Sequence, residues 1–199
     1  MKPLTIITNF EGAHVGVPVT TLSSLDMLKD AIKYEKADTI RLMGGSDPLH
    51  EIDKHQKYYG RLFRICRDYN ISIELHTSHI GSNFPYRRCK SVTYRIHDFD
   101  HLTKIAKQGH EWVRVEFIVG KGCTLDLIDK VMDYCNACRD INDLHFRCDG
   151  DKGSHLPKNC HEYLLSGHNR RWVYVTGPTD IPPYFVNGDI HYSASDVFM

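Results

Sequence analysis

Three groups of side chains have the types and spacing to do chemistry. The first is a turn, Gly44-Gly45-Ser46-Asp47-Pro48-Leu49. Its glycines let a backbone approach a ligand closely, and Asp47 offers a carboxylate. Asp47 and Glu74 could hold an amine or ribose hydroxyls. An Asp in a turn is equally suited to bonding its own backbone, and for Asp47 that structural reading leads. For Glu74 both readings stay open, because sequence does not fix which face of its strand it occupies. The second group is His76-x2-His79, with His14 and His50 on neighbouring loops. Histidine titrates near neutrality, so these could form a hard-metal or acid–base site. In a chain with 13 histidines, solvated loop histidines are the default expectation.

The third group is Cys135-x2-Cys138 with Cys148, Cys160 and the nearby His145, His155 and His161. The first pair has zinc spacing, but the remaining intervals match no common zinc module. Cys135 also continues an apolar stripe, where a free cysteine is an ordinary small core residue. No metal site is therefore expected. Phe84-Pro85-Tyr86-Arg87-Arg88-Cys89-Lys90 is a compact basic-aromatic run. Its cations could meet phosphate while Tyr86 stacks on a base. A solvated loop explains the run as well, so nucleic acid is not an expected partner. No nucleophile–base pair, P-loop or dinucleotide fingerprint is legible.

These residues must be positioned by strands and helices, and the pattern alternates between the two. Leu4–Thr8, Thr39–Met43, Ile71–His76, Ser91–Ile96, Trp112–Val119 and Leu144–Arg147 are apolar, β-branched runs expected as strands. Ser23 or Ser24 is expected to cap a helix through Leu25, Leu28, Ala31 and Ile32. A second helix is expected from about Glu51 to Tyr69, ended by Asn70. A third should run over Phe99–Lys107, and a fourth from Thr124 through Cys135. Such alternation predicts an α/β fold of parallel βαβ units. After Asp149 the pattern weakens to short strands at Trp172–Thr176, Tyr184–Val186 and Ile190–Tyr192, with Asn187-Gly188 a hairpin signal. One domain over 1–199 is expected, with a βα-repeat core at 1–148 and an extension at 149–199. Ligands gather where parallel strands end, which selects loops 9–20, 44–50, 76–88, 97–98, 120–123 and 148–157.

The composition narrows the setting. Lys and Arg number 25, as do Asp and Glu, so no field of one sign recruits nucleic acid or an anionic membrane globally. No apolar stretch approaches bilayer-spanning length. Seven cysteines, odd in number and scattered, are expected as reduced thiols in a cytoplasmic protein.

The first two loops resemble those of the radical S-adenosylmethionine (SAM) superfamily. Met43-Gly44-Gly45-Ser46-Asp47-Pro48-Leu49 is close to its GGxDPL-type motif, and the order of strands, loops and capped helices around it is similar. The resemblance implies a partial (βα)6 barrel-like parallel sheet, here followed by a C-terminal β-hairpin extension. It also implies SAM at Gly44, Gly45, Ser46 and Asp47, with His76 on the next strand end. The family's C-x3-C-x2-C triplet aligns with Ala13, Val17 and Thr20. The spacing is kept and every thiol is replaced, so no [4Fe–4S] cluster is expected.

Three functional expectations follow. One is a pseudoenzyme that keeps the scaffold and a SAM or nucleoside pocket, pairing with an active paralogue or that paralogue's substrate protein. Another is a non-radical enzyme using the same strand-end pocket. The last is a cysteine-less form of a cluster-dependent parent.

Overall fold

A computed structural model describes residues 2–10, 16–45, 47–105, 112–148, 156–167, 172–176 and 183–197. They form two compact units, one from Met1–Val92 and Asp180–Met199, the other from Thr93–Gln108 and Trp112–Thr179.

The first unit is a parallel sheet with helical crossovers. Strand β1 (Pro3–Thr8) leads through α1 (Leu25–Glu35) to β2 (Thr39–Gly44), then through α2 (Gln56–Asp68) to β3 (Ser72–Thr77). Strand β1 pairs in parallel with β2, and β2 with β3, in the register Thr5↔Arg41↔Glu74. Leu25, Leu28, Ala31 and Ile32 are buried, as their helical spacing requires. Ser24 does not cap α1 with its side chain. Its hydroxyl donates instead to the Thr21 carbonyl at 2.7 Å, and the helix opens on successive i→i+3 bonds from Leu25, Asp26 and Met27. A short 3-10 turn, Ile52–His55, precedes α2, so the helix begins later than Glu51. Asn70 has φ +55° and ends the helical segment in the left-handed region, as expected.

The C-terminal hairpin belongs to this unit. Strand β8 (Tyr184–Val186) pairs in parallel with β1, and β9 (Asp189–His191) pairs antiparallel with β8. The turn between them is Asn187-Gly188, with φ +46° and +114°, the double positive φ of a type I′ hairpin.

In the second unit, β4 (Ser91–Ile96, from Thr93 onward) is followed by α3 (Phe99–Leu102), β5 (Trp112–Val119), α4 (Leu125–Ala137), β6 (Asp143–Cys148), α5 (Lys158–Leu165) and β7 (Trp172–Val175). Strands β5, β6 and β7 are parallel neighbours. The Thr124 hydroxyl accepts from Leu127 N at 3.2 Å, capping α4 as its sequence predicts. Two readings needed revision. Helix α3 covers four residues, not the nine of Phe99–Lys107. Beyond Leu102 the backbone passes into i→i+3 bonds at Lys104 and Ile105, a tightening that ends helices, and 106–107 lie outside the described residues. Helix α5 has no counterpart in the sequence reading. Its inward face is only Cys160 and Leu164, too brief a stripe to stand out.

Side chains alternate sharply across β5 and β6. Val113, Val115, Phe117, Leu144 and Phe146 are buried on one face. On the other, Asp143 Oδ2 meets Arg114 Nε at 2.8 Å and His145 Nε2 at 3.1 Å. The His145 hydrogen bond, then that of Arg114, holds the Asp143 carboxyl down at about 2. On the same face Glu116, 4% exposed, accepts from Arg95 Nε at 3.3 Å and Arg147 at 3.5 Å. Among the described residues, no helix is long and apolar enough to cross a membrane.

Candidate functional site

The expected site lies where β1, β2 and β3 of the first unit end. The loop after β1 is closed by hydrogen bonds across its base. Asn9 N donates to the Thr20 hydroxyl at 2.7 Å, Thr20 N donates to the Asn9 carbonyl at 2.9 Å, and Asn9 Nδ2 donates to the Val17 carbonyl at 2.6 Å. These bonds use a fully buried amide to fix the backbone. Val17 is 5% exposed and clusters with Ile7, Met43, Tyr184, Val186 and Val197. Ala13 and His14 lie outside the described residues.

The Gly-Gly turn is tied to the first loop. Gly45 N donates to the Thr8 carbonyl at 3.0 Å, and the Thr8 hydroxyl donates to the Met43 carbonyl at 3.2 Å. Gly44 closes β2 opposite Thr8. Ser46 lies outside the described residues.

Asp47 is the hub. Oδ1 accepts from Leu49 N at 2.8 Å and from the Thr77 hydroxyl at 2.6 Å. Oδ2 accepts from the backbone and hydroxyl of Ser78, the latter at 2.8 Å. The Leu49 bond is the local turn bond that an Asp at this place favours. The Thr77 and Ser78 bonds were not legible, because they join loops that the sequence separates.

The histidines divide. His79 turns to Asp47, with Nδ1 at 3.6 Å from Oδ1, and its ring lies 6.4 Å from that of His50. His76 is half-buried within β3, two residues from Glu74 and so on the same face. Glu74 resolves to a structural role, accepting from Arg41 Nε and NH2, each at 3.2 Å, across the β2–β3 register.

The basic-aromatic run also divides. Tyr86 is buried and shares a 2.8 Å hydrogen bond with Ser82. Phe84 is buried beside it, with ring centroids 5.3 Å apart. Arg87, Arg88 and Lys90 face outward. The aromatic that would stack on a base is therefore core, which removes half of that reading.

The cysteines fall at opposite ends of β6. Cys135 and Cys138 line a cavity of about 370 Å³ with Asp143, Leu144 and Trp172, at the start of the strand. Cys148 ends it, and Cys160 lies close to Cys123, its thiol 3.5 Å from the Cys123 carbonyl oxygen. Four steps along a strand span roughly 13 Å, so the CxxC pair and Cys148 do not converge.

No protein-family model matches the chain, and no curated protein matches it. Two solved structures do. Streptococcus suis SuiB aligns with a TM-score of 0.54 at 9% identity, over 89% of this chain and 49% of SuiB. SuiB bound to S-adenosylmethionine aligns with a TM-score of 0.50 at 11% identity, over 89% of this chain and 47% of SuiB. The chain spans about half the length of these matched structures. At such identities the likeness shows the fold alone: an α/β fold of parallel βαβ units with a C-terminal hairpin.

Proposed function

We propose that this chain is a cluster-free radical SAM-like protein, a pseudoenzyme that pairs with an active relative or with that relative's substrate protein. The observation that carries the reading is Val17, packed among five apolar neighbours. A [4Fe–4S] cluster takes thiolate donors. An isopropyl group in an apolar cluster donates nothing, and the Thr20 hydroxyl is committed to Asn9 N. The described residues do not fit the cluster, and no radical step runs through them.

The likeness to SuiB bound to S-adenosylmethionine supports a residual SAM or nucleoside pocket. Gly44 and Gly45 would offer backbone close to the ligand, with Ser46 and His76 beside them. Asp47 would receive an amino group only by loosening its bonds to Thr77 and Ser78. In this reading it holds the loops. Seven unpaired cysteines support a cytoplasmic setting.

Anaerobic reconstitution with iron and sulfide, followed by assay of both, tests the central claim. Iron and sulfide well below one cluster per chain are expected, and stoichiometric amounts would sink it. Calorimetric titration with SAM tests the pocket separately. Micromolar binding weakened by Gly45→Leu is expected, and no heat from folded protein would remove the ligand and leave the partner role.

A further inference from the structure

A second group of reactive side chains gathers in the other unit, where β5 and β6 end. Cys148 is the last residue of β6, and its thiol lies 3.0 Å from the Tyr174 hydroxyl on β7. That hydroxyl lies 2.9 Å from His161 Nδ1 on α5. With His161 in its Nε2–H tautomer, Nδ1 is an acceptor and the contacts form a directed relay, in which the phenol donates to the imidazole and the thiol donates to the phenol oxygen. Cys148, Tyr174 and His161 are all half-buried, so solvent and small solutes reach them.

Two further thiols stand beside this relay. Cys123 sits in the loop after β5, its backbone N–H bonded to Gly120 at 2.9 Å. The Cys160 thiol lies 3.5 Å from the Cys123 carbonyl oxygen, and the Cys123 thiol lies 3.8 Å from the Thr124 carbonyl oxygen. Val119, four residues before Cys123, is the register partner of Cys148, so the loop carrying Cys123 leaves β5 beside Cys148. Cys123 and Cys160 are 7% and 1% exposed, and burial pushes the Cys123 thiol up to about 12. Neither is an entry point for an oxidant, whereas Cys148 has both access and a proton relay. Among the described residues no group of three or more His, Cys, Asp or Glu is arranged to hold a metal ion.

We propose that Cys148 is the entry thiol of a reversible oxidation site, with Cys123 and Cys160 as the resolving pair and a peroxide as the oxidant. The Cys148 proton passes to the Tyr174 oxygen as the Tyr174 proton passes to His161 Nδ1. The Cys148 sulfur then attacks the peroxide, so that an S–O bond forms and the O–O bond breaks. The departing oxygen recovers the relayed proton and leaves as alcohol or water, and Cys148 becomes a sulfenic acid. Cys123 attacks that sulfur; an S–S bond forms, the S–O bond breaks, and hydroxide leaves as water with the Cys123 proton. Cys160 then attacks the Cys123 sulfur, giving the Cys123–Cys160 disulfide and returning its proton to Cys148. The net change is a two-electron oxidation of two thiols and reduction of one peroxide.

The test uses the full chain, fully reduced. Cys148 is expected to be alkylated by iodoacetamide about tenfold faster than Cys138, a half-buried thiol outside the relay. Tyr174→Phe removes the relay, and His161→Gln keeps a hydrogen-bond acceptor but removes the base. Each should slow Cys148 several-fold and leave Cys138 unchanged. After hydrogen peroxide, peptide mapping should find the Cys123–Cys160 disulfide, formed at least about tenfold more slowly in Cys148→Ser. Equal alkylation of Cys148 and Cys138 in the unmodified protein would overturn the proposal. So would a disulfide that forms equally fast in Cys148→Ser.

Discussion

The Thr77 hydroxyl lies 2.6 Å from Asp47 Oδ1, and this bond joins the ends of β2 and β3. Thr77 is 2% exposed, so no water takes over its role if the bond is lost. Replacing it with the near-isosteric Val leaves a carboxylate oxygen short of a donor. Thr77→Val should destabilise the protein by about 1–3 kcal/mol, read as a lower midpoint in urea unfolding with an unchanged slope. An unaltered midpoint would mean that the loops are held without Asp47.

Val17 makes a second prediction, on packing. Val17→Ala removes two methyl groups from the cluster with Ile7, Met43 and Tyr184. The loss of burial plus the cavity should amount to about 2 kcal/mol. Val19, 47% exposed in the same loop, supplies the control, since Val19→Ala should change stability by less than about 0.5 kcal/mol. Equal effects at the two sites would remove the argument that the loop is sealed by its own apolar side chain.

Asp143 predicts an acid limb. Its carboxyl titrates at about 2 in the folded chain against an ordinary 3.8. A depressed folded pKa contributes stability that is present above about 3.8 and lost as pH falls towards 2. Asp143→Asn should therefore flatten the fall in thermal midpoint between those pH values, and lose stability chiefly at higher pH. The same steepness in both proteins would place the acid sensitivity elsewhere. Because Asp143 is only partly buried, the effect should be modest and reduced by salt.

Gly188 predicts strain. Its φ of +114° is open to glycine and poorly tolerated by other residues, and an added Cβ would stand 3.8 Å from the Met27 side chain. Space is therefore not the obstacle; conformation is. Gly188→Ala should cost about 1–2 kcal/mol by thermal unfolding, while Gly60→Ala, with open space and helical φ, should be neutral or mildly stabilising.

What the sequence made legible was whatever repeats. Strands such as Trp112–Val119 and the apolar stripe of α1 follow from period and burial, and the Asn187-Gly188 turn follows from the φ values that its residues accept. Asp47 was legible as a turn residue but not as the junction of two loops, since Thr77 and Ser78 reach it only after the chain has folded. Tyr86 misled because an aromatic among arginines looks the same in sequence whether its ring is in the core or in solvent. Cys148 and His161 were legible only as members of a zinc-like group, and Tyr174 left no signal at all. They come from β6, β7 and α5, at intervals that match no motif, and only parallel pairing brings them together.

The pairing of β8 with β1 has a consequence during protein synthesis. Strand β1 leaves the ribosome before β8, and the strand that covers its free edge is made only after the whole second unit. At roughly 5–20 residues per second, that edge stays bare for about 10–35 seconds. An uncovered apolar strand edge invites pairing with another nascent chain. Tyr184 and Val186 must also arrive before Val17 and Met43 can complete their cluster. Demand for a holdase chaperone should therefore peak while the second unit is being made, and end abruptly when the hairpin emerges.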